Sequence, residues 1–150
     1  MTTSEALQKL RRYCTYQERS PFEVYRKLGL LGLPKDRHEE VMASLMEENF
    51  LDEYRFAEAY CQGKLNQKYW APYRISIGLR EHRIPKVTID RIFNQIPQKR
   101  VEENALYLTN RWFNSKTKEQ LKAAMQRRGY SFEMINRAYQ TVEEERKSSL

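Results

Sequence analysis

The sequence predicts an all-α protein made of three tandem three-helix repeats, which form an elongated, curved helical array of right-handed type. Apolar residues recur at helical spacing, and alternating strand patterns are nearly absent. Only 5 glycines and 5 prolines interrupt the 150 residues, and they punctuate the helical segments. One pattern of apolar, glycine and proline positions returns three times, which is the signature of stacked repeats.

The first repeat shows clear helix boundaries. Ser20 and Glu23 form a predicted capping box around Pro21 at the first helical position. We expect this helix to end near Gly29–Pro34 and a second one to follow it. The predicted apolar stripes are Val24, Tyr25, Leu28 and Leu31 on the first helix, and Val41, Met42, Leu45, Met46 and Phe50 on the second.

The second repeat opens on a structural motif. Asp52 is placed to cap a helix, Phe56 to pack against Leu51, and Arg55 to pair with a carboxylate of another element. The helix that begins here is expected to run to about Lys68. We therefore interpret Asp52, Arg55 and Phe56 as structural residues.

The repeats are related by constant offsets. Leu33-Pro34-Lys35 aligns with Ile84-Pro85-Lys86 at an offset of 51 residues. A third copy follows at an offset of 46, with Tyr130 on Ile84, a capping box from Thr117 to Gln120, and Gly129 ending that helix. The predicted repeats are 1–50, 51–96 and 97–150, in one continuous array.

The composition argues against an enzyme or a metal protein. Cys14 and Cys61 form no CxxC pair and are expected to be buried. His38 and His82 are isolated, and we expect His38 to be solvated and His82 to lie beside the basic residues. No phosphate-cradling glycine loop or nucleophile motif occurs, so we predict no catalytic residue, no cofactor and no metal. Without a signal peptide or a membrane-length apolar run, we expect a cytoplasmic location, and without a heptad seam a monomer.

The net charge of +7 indicates an acidic partner. It is unevenly distributed, because residues 1–50 hold 8 basic and 8 acidic side chains, whereas 51–97 hold 8 and 5, and 98–150 hold 11 and 7. We therefore expect the basic surface in the last two thirds of the chain. The cationic residues of the first repeat rank lower because acidic neighbours offset them.

Several segments resemble the RecX family of regulators of the recombinase RecA. The segment Ser20–Leu28 resembles the family's Ser, Glu-Leu and Lys-Leu pattern, and Phe50–Tyr60 closely resembles its Leu-Asp-Asp/Glu-x-Arg-Phe-Ala signature. Pro72-x-Arg74-Ile75 with Leu79, and Arg128-Gly129-Tyr130, resemble two further family segments. Two positions depart from the family pattern, because Ala71 and Arg83 stand where glycine is usual.

The resemblance implies a regulator that binds the RecA filament on single-stranded DNA. It would inhibit ATP hydrolysis, strand exchange and coprotease activity, and so act in DNA recombination, DNA repair and the SOS response, with weak direct DNA contact in addition. A direct DNA- or RNA-binding module without a recombinase target is the alternative, and a scaffold for an unrelated acidic protein is a third interpretation.

The candidate partner or nucleic-acid contacts combine cations with aromatic rings, which suits phosphates and protein interfaces. The opposing interpretation is that the aromatic rings belong to the core and the cations to a solvated helix face. The candidate residues are Lys64, Lys68, Tyr69, Trp70, Arg74, Arg80, Arg83, Lys122, Arg127 and Arg128.

Overall fold

A computed structural model describes all 150 residues and confirms the all-α class, with nine α-helices and no strand. A short 3-10 turn precedes the third helix, and one π-helical turn, Lys64–Lys68, follows the fourth. No helix is both long enough and apolar enough to cross a bilayer. The helices are α1 (Thr3–Tyr16), α2 (Pro21–Leu30), α3 (His38–Glu47), α4 (Glu53–Gly63), α5 (Pro72–Glu81), α6 (Lys86–Phe93), α7 (Gln98–Trp112), α8 (Lys118–Arg127) and α9 (Phe132–Ser148).

The helix starts have the capping chemistry that the sequence predicts. The Ser20 hydroxyl accepts a hydrogen bond from the Glu23 N–H at 3.1 Å, and the Glu23 carboxylate accepts one from the Ser20 N–H at 2.9 Å. Thr117 and Gln120 make the same reciprocal pair at the start of α8. These bonds satisfy N–H groups that the first helical turn leaves without intrahelical partners, and so fix where α2 and α8 begin.

The predicted repeats 1–50, 51–96 and 97–150 each contain three consecutive helices. Their boundaries as domains stay a prediction. By internal contacts the chain instead divides into two compact units, which we call the first unit (Met1–Tyr60 with Leu79–Thr88) and the second unit (Cys61–Gly78 with Ile89–Leu150).

The first unit is built around α1, α2 and α3, which pack on one another. Cys14 is buried in their core, as predicted. Arg55, half-buried at the start of α4, donates hydrogen bonds to the carboxylate of Glu18 and the side-chain oxygen of Asn49, while Asp52 accepts one from the Arg55 N–H. The buried core residues of this group are Ala6, Leu10, Cys14, Val24, Leu28, Leu33, Val41, Met42, Leu45 and Leu51.

The second unit is built around α7, α8 and α9, with α7 packed along α9. Asn104 is buried on α7 and donates a hydrogen bond to the carbonyl of Leu65 at 3.0 Å, which ties the π-helical turn to this core. The buried core residues of this group are Ala71, Val101, Ala105, Leu108, Leu121, Met125, Tyr130, Ile135 and Ala138.

Several predicted exposures are wrong. His38 is buried rather than solvated, because its Nε2–H donates to the Leu33 carbonyl at 2.8 Å in the turn before α3. Tyr25 and Met46 do not belong to the core stripes, since they are 37% and 49% exposed, and the Tyr25 hydroxyl instead donates to Glu39. The charged run 143–147, whose composition favours a frayed helix end, lies inside α9, which continues to Ser148.

Three equivalent turns, one in each repeat, share a left-handed backbone. Gly32, Arg83 and Gly129 have φ of +81°, +59° and +92°, and they are related by the offsets of 51 and 46 residues. Glycine adopts this conformation readily, whereas a residue with a Cβ atom is disfavoured there. The Arg83 guanidinium carbon lies 4.3 Å from the Phe22 ring centroid, a cation–π contact that partly offsets the backbone cost.

We expect the variant Arg83→Gly to be more stable than Arg83→Ala by about 1 kcal/mol in free energy of unfolding. Both variants lose the contact with Phe22, but only glycine relieves the backbone at a φ of +59°. Urea unfolding of the two variants measures the difference. A more stable alanine variant would contradict this account of the turn.

Candidate functional site

The segment between α4 and α5 has an unusual backbone that positions Trp70. After the π-helical turn, Tyr69 adopts a left-handed φ of +56°, and the Trp70 N–H donates to the Lys64 carbonyl at 3.1 Å. The next N–H, of Ala71, donates to the Arg128 carbonyl at 2.8 Å. π-helical turns are rare and occur often at functional sites, which draws attention to this segment.

Tyr130 anchors the same segment from within the core. Its hydroxyl donates to the Tyr69 carbonyl at 2.6 Å, and its side chain is only 3% exposed. Burial raises the pKa of the Tyr130 phenol well above its usual value, so the phenol stays protonated as the donor. The backbone of Tyr69–Ala71 is therefore held to the turn after α8 by hydrogen bonds with Tyr130 and Arg128.

Gly129 allows the close approach that this arrangement needs. A Cβ atom at Gly129 would lie 2.6 Å from the Arg74 backbone nitrogen and 2.7 Å from the Arg74 Cβ. Such distances are far inside van der Waals contact, and the φ of +92° independently favours glycine. The turn after α8 and the start of α5 can therefore meet only because residue 129 has no side chain.

An open cavity of about 340 Å³ lies beside the Tyr69–Trp70 segment; we call it the tryptophan cavity. Three of its lining residues are cations and three are aromatic, and none of the eight is acidic. All eight lie in the second unit. The lining residues are Gln67, Lys68, Tyr69, Trp70, Leu108, Arg111, Trp112 and Arg128.

Each tryptophan of the cavity has two cations near its ring. For Trp70, the Arg74 guanidinium carbon lies 4.2 Å and the Lys64 ammonium 4.8 Å from a ring centroid. For Trp112, the corresponding distances are 4.6 Å to Arg128 and 5.3 Å to Lys116. Cations within about 6 Å of an indole ring are attracted to its face, so both rings hold positive charge beside the cavity.

Arg128 is the most constrained of these cations. Its Nε is buried without a hydrogen-bond partner, and no carboxylate balances its charge. Desolvation by burial is the main cause that lowers the pKa of this guanidinium, with the neighbouring positive charges of Arg127 and Arg111 acting in the same direction. An anion entering the cavity would relieve this uncompensated positive charge.

The structure brings together part of the predicted site and separates the rest. Lys64, Lys68, Tyr69, Trp70, Arg74 and Arg128 lie in or beside the tryptophan cavity. Lys122 lines a different cavity, of about 450 Å³, that also contains Glu143 and Glu144, and Arg127 is exposed on α8. Arg80 and Arg83 belong to the first unit.

The sequence interpretation missed Arg111 and Trp112. A signal was available, because Trp70 and Trp112 are each followed by a cation four positions later, Arg74 and Lys116. Both of these cations contact the preceding tryptophan. His82, expected beside the basic residues, instead packs on the rings of Phe56 and Tyr60 at 4.9 Å and 5.4 Å, in the first unit.

The nine short helices and the cation-rich cavity define an all-α protein with a surface suited to an anionic partner.

Residues 52–91 match the family model for the second three-helix domain of RecX. The chain is 26% identical over 134 residues to the regulatory protein RecX of Vibrio campbellii, covering 86% of each protein. It is 33% identical over 78 residues to RecX of Lactobacillus johnsonii, although the match spans only 29% of that relative's length.

Solved structures agree with this fold. The crystal structure of RecX from Lactobacillus salivarius superposes with a TM-score of 0.77 at 21% identity, over 94% of this chain and 96% of that one. A second crystal structure of a regulatory protein RecX gives a TM-score of 0.74 at 22% identity, over 89% and 71% of the two chains. The chain is therefore similar, in a family segment, in overall sequence and in fold, to regulatory proteins named RecX.

Proposed function

We propose that this chain is a non-catalytic regulator that binds the RecA filament on single-stranded DNA and restrains its ATPase, strand-exchange and coprotease activities. Similarity to relatives that are named regulatory protein RecX supports the proposal. The tryptophan cavity is the observation that favours an anionic partner, because Lys68, Arg111 and Arg128 line it together and no carboxylate does.

The chemistry of the cavity favours phosphate groups over stacked bases. Both indole rings already hold an arginine and a lysine close to their faces. A base would have to displace these cations in order to stack, whereas a phosphate can bind them where they are. In the proposed complex the tryptophans therefore orient guanidinium groups toward the strand within the filament.

The proposal distinguishes a filament regulator from a simple nucleic-acid binder. A protein that holds DNA only through phosphates loses affinity steeply as salt rises. A regulator that also contacts the recombinase binds the coated strand much more tightly than the bare strand, and does so at physiological salt.

We expect the chain to bind a fluorescent single-stranded oligonucleotide at least tenfold more tightly when RecA coats it, at about 150 mM salt. Fluorescence anisotropy at several salt concentrations, with and without RecA and a nonhydrolysable ATP analogue, measures this ratio. Equal affinity for bare and coated strands, with a steep salt dependence for both, would support direct nucleic-acid binding instead.

A further inference from the structure

The first unit contains a second basic cavity, of about 390 Å³, beside the C-terminal half of α1. Its lining includes four cations and two tyrosines, and it contains no carboxylate. We call this surface the tyrosine cavity. The residues that define it are Lys9, Arg12, Tyr13, Tyr16, Arg19 and Lys27.

This cavity is basic even though the first 50 residues carry equal numbers of positive and negative side chains. The reason is that two nearby carboxylates are engaged elsewhere, since Glu48 pairs with Arg11 at 2.8 Å and Glu18 accepts a hydrogen bond from Arg55. Glu23 caps α2 with one oxygen and pairs through the other with the lining cation Arg19, at 3.7 Å. The excess positive charge of the cavity therefore comes from Lys9, Arg12 and Lys27. The ranking of this region as neutral from its sequence is therefore misleading, because the fold separates the charges.

The two tyrosines of the cavity have different environments. The Tyr13 ring is covered by the Arg19 guanidinium at 3.7 Å and lies 5.4 Å from the Lys27 ammonium. Tyr16, the last residue of α1, is 83% exposed, and the Arg19 guanidinium carbon lies 5.9 Å from its ring centroid. Tyr16 thus presents a largely exposed aromatic ring whose cation contact is more distant than any of those at Trp70 and Trp112.

We propose that the tyrosine cavity is a platform for single-stranded nucleic acid. Tyr16 stacks on an unpaired base, while Lys9, Arg12 and Lys27 contact the flanking phosphates, and Arg19 stays between the Tyr13 ring and Glu23. An exposed ring beside cations is the combination that binds single strands with little sequence preference. A duplex does not offer an unpaired base face, so the platform favours single strands.

The inference deepens the proposed function by adding a direct contact to the strand, but it does not require a recombinase. Its test therefore uses the full chain and bare DNA. Failure of this platform leaves the ATPase effect on RecA untouched, whereas failure of the recombinase proposal leaves binding of the bare strand by Tyr16 intact.

We expect Tyr16→Ala to weaken binding of a bare oligothymidylate by roughly fivefold or more, and Tyr16→Trp to preserve it. Tyr73→Ala is the matched control, because Tyr73 is a 65% exposed tyrosine that lines neither cavity. A photoactivated oligonucleotide containing 5-iodouracil should form its adduct on Tyr16. Unchanged affinity of Tyr16→Ala, or adducts confined to Trp70 and Trp112, would overturn the proposal.

The phosphate contacts have their own test. The double variant Lys9→Gln with Arg12→Gln should lower the slope of log affinity against log salt by about 1.4, since each phosphate contact on a single strand contributes about 0.7. Lys35→Gln with Lys99→Gln removes the same charge from exposed sites outside the cavity and should leave the slope nearly unchanged. Equal slopes in the two double variants would contradict the site. Displacement of the oligonucleotide by polyglutamate at equal charge concentration would indicate an acidic peptide instead.

Discussion

The variant Gly129→Ala should lose about 3 kcal/mol of its free energy of unfolding. The left-handed backbone costs a residue with a Cβ atom about 1–2 kcal/mol, and forcing extra volume into a packed site costs about 1–3 kcal/mol more. The clash is with backbone as well as side chain, because the new Cβ would lie 2.6 Å from the Arg74 nitrogen. Urea unfolding followed by circular dichroism measures the loss.

Gly32→Ala is the matched control for this prediction. Gly32 has a similar φ of +81°, but a Cβ atom there would have nothing within 4 Å. We expect this variant to lose only the backbone contribution, about 1–2 kcal/mol. Equal losses at the two positions would show that the approach of Gly129 to Arg74 does not constrain the second unit.

The double variant Lys68→Gln with Arg111→Gln should require about tenfold or more protein to inhibit RecA to the same extent. Both side chains line the tryptophan cavity and are exposed, so their loss removes positive charge without disturbing the core. Each lost phosphate contact weakens binding and lowers the salt dependence. The RecA ATPase rate at a series of regulator concentrations gives the shift.

Lys122→Gln with Arg127→Gln is the control for that variant, since it removes two positive charges from α8 outside the tryptophan cavity. We expect only a small shift in the concentration needed for inhibition by this control. Both double variants reduce the general electrostatic attraction to the filament, but only the control leaves the tryptophan cavity intact. If the control weakens inhibition as much as the cavity variant does, net charge rather than the cavity governs binding.

The sequence predicts much of the fold because its signals are local. Ser20 and Thr117 begin α2 and α8 through capping hydrogen bonds to residues three positions later. Gly129 ends α8 because glycine readily adopts a left-handed φ. The repeat offsets extend such inferences to equivalent positions, because Arg83 aligns with Gly32 and Gly129 and has the same left-handed turn conformation. Such features depend on residues adjacent in sequence.

The candidate site was less predictable because it depends on contacts between distant residues. Trp112 meets Arg128 and lines one cavity with Trp70, a grouping that no short segment reveals. Charge counting failed for a similar reason in the first unit, where Glu48 and Arg11 neutralise each other across 37 positions. His38 is a different case, because its partner, the Leu33 carbonyl, is only five positions away, in a turn whose geometry helical periodicity does not describe.

Restraint of the RecA filament by this chain can be measured as the rate of ATP hydrolysis by RecA, from the same organism, on single-stranded DNA. The chain is added at far less than one molecule per recombinase. We predict a fall in rate at these low ratios, which would also favour blocked filament growth over coating of the filament groove. An unchanged rate even when the chain is in excess, with binding to bare DNA retained, would contradict the claim.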